Sequence, residues 1–137
     1  MTCTASELKA VMAPYLGGSE ERYRHWANRR FIYSEGMKAM AEAAGAYWLL
    51  DKLATQYAPI YAKAWQDGKA STGIVRLSVS AQNHGSLMLS LADGEPPAAD
   101  EVLPYTDFPE GDWTFYLGTD ELPDGSFITT AILPEEY

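Results

Sequence analysis

Near residue 70 the hydrophobic period of this chain changes from about 3.6 residues to about 2, and that change fixes the class of fold available to it. Upstream, Met37, Met40, Ala41, Ala44, Tyr47 and Trp48 recur on one helical face, and Leu50, Leu53, Ala54 and Tyr57 extend a neighbouring stripe. Downstream, Val75, Leu77, Val79 and Ala81 alternate with Arg76, Ser78 and Ser80. After the turn Gln82-Asn83-His84-Gly85, Leu87, Leu89 and Leu91 alternate with Ser86, Met88 and Ser90. Helices first and strands afterwards, without βαβ alternation, predict an α+β fold. Its N-terminal helices would pack on one face of an antiparallel four- to five-stranded meander sheet. A chain of 137 residues reads as a single domain, 1–137, with a helical part over about 5–67 and a sheet part over about 74–133.

Local signals fill in the elements. Ser6 is placed to cap a first helix carrying Leu8, Val11 and Met12, closed by Pro14 and Gly17-Gly18. Ser19, followed by Glu20 and Glu21, suggests a second short helix over 19–30. That helix would turn Tyr23, Trp26 and Ala27 into the core and set Arg22, His25 and Arg29 on a separate basic face. Phe31-Ile32-Tyr33 fits a short strand, and Ser34 caps a long helix with Gly45 in its middle, read as a point of close approach. Pro59 opens a last helix that stops at Asp67-Gly68. A loop of about twenty residues over 92–111, with Pro96, Pro97, Pro104 and Pro109, is of the length usually kept for function or mobility. Trp113, Phe115 and Leu117 then mark a third strand and Phe127-Ile128-Thr129-Thr130 opens a last one.

Charge is divided along the chain. Residues 1–76 hold all ten Lys and Arg with seven Asp and Glu, for +3, while residues 77–137 hold twelve acidic residues and no basic one, for −12, together the −9 of the whole. One cysteine, Cys3, builds neither a disulfide framework nor a zinc site, which suits a reducing, cytoplasmic compartment. The start shows no secretory pattern, and the longest apolar run, 43–50, is far short of the roughly 20 residues a bilayer requires, so no membrane association is expected.

Three blocks, RHWANRRFIYSEGMKAMAEAAGAYWLLDKLA (24–54), YTDFPEGDWTFYLGTDELPDGSF (105–127) and ILPEEY (132–137), resemble an uncharacterised family of small bacterial, phage and plasmid-borne proteins of unknown function. In the last block that family more often has Ser where this chain has Glu135. The resemblance transfers no catalytic residue. It implies a mobile-element context and, with it, action upon host machinery.

Two charged clusters are candidate sites. Arg22, Arg24, Arg29 and Arg30, with Tyr23 and Trp26 among them, have the residue types that grip phosphate or carboxylate, or that tie the basic half to the acidic one. Direct nucleic-acid binding would use the same types but is opposed by the total charge. Asp93, Glu95, Asp100 and Glu101 crowd the long loop, and Asp107, Glu110 and Asp112, with Asp120, Glu121 and Asp124, form the acidic surface expected to meet a protein partner. Neither Asp107–Asp112 nor Asp120–Gly125 has the ligand spacing of an EF-hand loop, so no metal and no cofactor is expected. His25 and His84 stand apart from any nucleophile motif, and Tyr33-Ser34-Glu35 reads as a helix start, so no catalytic residue is assigned. The function expected is that of a small acidic, non-enzymatic factor binding a protein with a basic surface. Its sharpest form is an inhibitor of host antiviral nucleic-acid-binding machinery such as a CRISPR complex. The alternative is a small enzyme or ligand-binding protein holding an anionic substrate on the arginines at 22–30.

Overall fold

Alternation in the second half of the chain builds the centre of a sheet. In a computed structural model, which describes residues 4–15, 21–92 and 95–136, Val75, Leu77 and Val79 face inward on β3 (Gly73–Val79). Leu87 and Leu89 do so on β4 (Gly85–Ser90), and Trp113, Phe115 and Leu117 on β6 (Gly111–Glu121). The last strand is β7 (Phe127–Ile132), and the outermost one on the β4 side is β5 (Ala99–Leu103). Ahead of these come α1 (Ala5–Met12), β1 (Arg22–Arg24), β2 (Phe31–Ser34), α2 (Glu35–Ala44), α3 (Tyr47–Lys52), a π-helical turn (Leu53–Tyr57) and α4 (Ala58–Gln66). Leu8, Met37, Met40, Leu49, Leu53 and Tyr61 from the helical segments join the inward residues of the strands in one buried cluster.

The fold is α+β, but the sheet is larger than four to five strands and is not wholly antiparallel. Seven strands lie in the order β1-β2-β7-β6-β3-β4-β5, and β2 runs parallel to β7. β2 is the short strand expected at Phe31–Tyr33, while its partner β1 comes from the segment expected to be a helix. Asn28 redirects it: its Oδ1 accepts from the Arg30 N–H at 3.0 Å and its Nδ2 donates to the Ala54 carbonyl at 2.7 Å, a turn that competes with helix. Another strand, β5, lies inside the proline-rich loop, pairing with β4 from Gly85↔Leu103 to Leu89↔Ala99.

Two expected helix details also change. Thr4, not Ser6, caps α1: its hydroxyl accepts from the Glu7 N–H, and the Glu7 carboxylate accepts in return from the Thr4 N–H in a capping box. The single long helix ends at Gly45, which takes φ 63° as a left-handed C-cap and leaves open space where a Cβ would stand. The expected Ser19 cap, Gly17-Gly18, Glu20, Cys3 and Asp93 lie outside the described residues.

Close approach belongs instead to Gly36. The Ser34 hydroxyl accepts from the Met37 N–H and donates to the Glu136 carboxylate, which also accepts from the N–H groups of Leu133 at 3.0 Å and Gly36 at 3.4 Å. The end of the chain thus brings a carboxylate to the start of α2, where unpaired N–H groups and the helix dipole favour an anion. A Cβ on Gly36 would stand 2.7 Å from Leu133 Cδ1 and 2.7 Å from Glu136 Oε1. Gly36→Ala should therefore lower stability to urea by about 1–3 kcal/mol, and an unchanged unfolding midpoint would contradict this packing.

Candidate functional site

Along β6, Asp112 and Asp120 are separated by eight residues of extended chain, about 26 Å. The six carboxylates expected to form one acidic surface therefore fall into two groups. Asp120 accepts from Thr130 Oγ1 at 2.9 Å, and Asp124 accepts from both the N–H and the hydroxyl of Ser126. Those Ser126 bonds, and then Arg30 nearby, hold the Asp124 carboxyl below its usual range. Both aspartates shape the β6–β7 hairpin, and Glu121 is exposed beside them.

The other group has a different setting. Phe108 and Trp113 meet edge to face at 5.5 Å, Trp113 Nε1 donates to the Pro109 carbonyl at 2.9 Å, and the Thr106 N–H donates to the Asn83 carbonyl at 2.8 Å. With the loop pinned from within, Asp107, Glu110 and Asp112 stand exposed. Asp107 accepts from the Tyr105 hydroxyl at 2.6 Å, and Tyr105 itself is 66% exposed. Register carries the patch onto the sheet. Asp112, Ser78, Ser86 and Val102 form one cross-strand row on the face away from the core, and Thr114, Arg76, Met88 and Asp100 form the next. Val102 is 74% exposed on the edge strand. Neither Tyr105 nor Val102 was singled out by sequence. The signal for Val102 was present in the alternation of Asp100, Val102 and Pro104 once that stretch is read as a strand.

Glu101 points the opposite way. It accepts from Lys52 Nζ at 3.0 Å and from the Tyr57 hydroxyl at 3.0 Å, joining α3 and the π-helical turn to the sheet edge. Burial first, and then the bond to Glu101, push the Tyr57 phenol well above its ordinary range. An unfolded Tyr57 would release its proton from about pH 10 upward while the folded one retains it, so stability is level below that pH and falls above it. Urea midpoints across this window should fall less steeply for Tyr57→Phe than for the wild type. Equal slopes would show that Tyr57 does not contribute.

The arginine cluster departs further from expectation. Trp26 is 83% exposed rather than buried, and Tyr23 is half-buried, stacked on Tyr33 at 5.8 Å with Lys38 Nζ over its ring at 4.4 Å. Among the described residues Arg24, Arg29 and Arg30 form no ion pair, so they do not tie the two halves together; the Lys52–Glu101 pair does. Strand geometry explains the outcome. Tyr23 alternates with Arg22 and Arg24, and the turn that follows throws Trp26 outward. His25 is buried, with Nδ1 accepting from the Ala27 N–H at 3.1 Å, so Nε2 bears the proton and donates to Asp51 Oδ1 at 2.7 Å. Both ring nitrogens are committed, which makes His25 a brace for the turn rather than a base. His84 is exposed in the β3–β4 turn.

An open polar recess of about 600 Å³, lined by Lys69, Ser71, Thr72, Arg76, Ser90 and Glu95 among others, lies at the end of β3 and β4. In the sequence its only signal is the polar loop Gly68-Lys69-Ala70-Ser71-Thr72-Gly73. Among the described residues no group of three His, Cys, Asp or Glu could hold a metal ion, and no helix is long and apolar enough to cross a membrane.

The model of a family of unknown function, DUF6876, matches residues 7–137. The chain belongs to DUF6876. No curated protein and no solved structure matches it. In this DUF6876 member the three sequence blocks have distinct places. The first runs from β1 into the π-helical turn, the second carries the acidic loop with β6, and the third supplies the Glu136 contact to α2.

Proposed function

We propose that this DUF6876 member is a non-enzymatic binding protein whose acidic edge, formed by β5 and the loop into β6, docks on a basic surface of a protein partner. The observation that carries the reading is the company of Tyr105 and Val102, both exposed, with Asp100, Asp107, Glu110 and Asp112. An aromatic anchor ringed by like charges is a familiar interface design. The anchor supplies most of the binding free energy on desolvation, and the charges set encounter rate and partner choice. Carboxylates of one sign at one edge would suit a partner whose groove ordinarily takes nucleic-acid phosphates. If the mobile-element resemblance extends to this chain's origin, a host antiviral complex of the CRISPR kind is the partner of first interest.

Reversing Asp107, Glu110 and Asp112 to Lys tests the proposal. All three are exposed, so the variant should unfold within about 0.5 kcal/mol of the wild type. The wild type should capture a basic protein from host lysate at low salt and release it near 0.5 M, where the Debye length is only about 4 Å. The triple variant should capture at least about tenfold less of the same protein. Equal capture by the two would sink the proposal.

A further inference from the structure

The turn between β1 and β2 takes no part in the acidic edge, yet it carries Trp26, the most exposed large hydrophobic side chain among the described residues. The turn is built to hold that ring in place. His25, only 4% exposed, is fixed between Asp51 and the Ala27 N–H. Asn28 is tied to the Ala54 carbonyl at 2.7 Å, and its own carbonyl accepts from the Phe31 N–H at 3.0 Å. Trp26 stacks on His25 with centroids 5.6 Å apart and planes 29° from parallel, which backs one indole face and leaves the other to solvent. Arg24 and Arg29, two residues before Trp26 and three after it in the chain, stand exposed and form no ion pair with a described residue. Arg30 borders the same turn, but Asp124 shares its field.

The neighbours of this ring indicate its occupant. Phe31 is buried and Tyr23 half-buried against Tyr33, so the turn exposes one indole with no second apolar side chain of the kind that Val102 adds beside Tyr105, on a segment that also exposes Arg24 and Arg29. A lone flat ring beside arginines fits a ligand that carries a flat ring and anionic oxygens together. We propose that the turn from Arg24 to Arg30 binds nucleotides, free or within single-stranded nucleic acid, with a base stacked on Trp26 and phosphate held by Arg24 and Arg29. The net charge of −9 does not forbid this, because only part of the acidic surface, Asp51 beneath His25 and Asp124 near Arg30, lies close to the turn. β1 and β5 are opposite edges of the sheet, and Asp100, Asp107, Glu110 and Asp112 lie toward β5.

The test is fluorescence anisotropy of a labelled oligothymidylate of about 12 nucleotides, with ATP as competitor. Binding should weaken about sevenfold between 50 and 200 mM salt if two phosphates are contacted. Trp26→Ala should weaken it by about tenfold or more, and Trp26→Phe should restore most of the loss. Replacing Arg24 and Arg29 by Ala should weaken it and flatten the salt dependence. Since these side chains are exposed, melting temperatures should stay unchanged. Displacement by ATP at equal nucleotide concentration would identify the free nucleotide as ligand, and oligomer binding that resists ATP would identify the strand. No binding of either probe overturns the proposal, as does binding untouched by these substitutions. Displacement by polyglutamate as effective as that by ATP would also overturn it, in favour of an acidic protein. The Asp107, Glu110 and Asp112 reversal should leave oligomer binding intact, so this site and the acidic edge can fail separately.

Discussion

The parallel pairing of β2 with β7 is the constraint on which the remaining arrangement depends. Parallel neighbours cannot be joined by a hairpin and need a long crossover, and here the crossover contains α2, α3, the π-helical turn, α4 and the whole of β3 to β6. Joining the first hairpin to the last strand makes β1 one margin of the sheet and leaves β5 as the other. The pairing is secured twice beyond its own ladder. The Thr129 N–H donates to the Arg30 carbonyl at 2.8 Å, and Glu136, just past β7, reaches the start of α2, just past β2. That closure adds to the hold that Asp51 and the Ala54 carbonyl have on the arginine turn.

Placing the two margins apart gives the charge division of the sequence a spatial meaning. Lys and Arg occur only before residue 77, and the part of that segment that enters the sheet first is β1, with Arg22 and Arg24. The acidic second half supplies the opposite margin, where Asp100 and Val102 alternate on an edge strand. An edge strand bearing carboxylates is also shielded from pairing with another copy of itself, since like charges would meet. The same carboxylates are the ones proposed above to select a basic partner.

Much of this fold was legible from period alone. The stripes from Met37 to Tyr57 and the alternation from Val75 to Leu89 place most of the buried core, because burial on one face imposes its period on the sequence. What failed had local patterns satisfying two structures at once. Tyr23 and Trp26 are spaced for a helix, yet Arg22-Tyr23-Arg24 also alternates, and Asn28 decided between them through a bond to Ala54, 26 residues away. Gly45 was read as a packing site when its positive φ made it a helix end. Of the site residues, Asp107, Glu110 and Asp112 could be picked out as charged loop residues, but their separation from Asp120 and Asp124 follows from the length of β6. Glu101 looked like another member of that surface and is instead held by Lys52 and Tyr57, a contact that only the tertiary arrangement creates.

Hydrogen exchange of the protein, alone and bound to the basic partner it captures, tests the acidic-edge account most directly. Slowed exchange across residues 99–112, with 68–76 little changed, is the footprint that the account predicts. Protection around the Lys69 and Arg76 recess, with 99–112 exchanging as in the free protein, would contradict it.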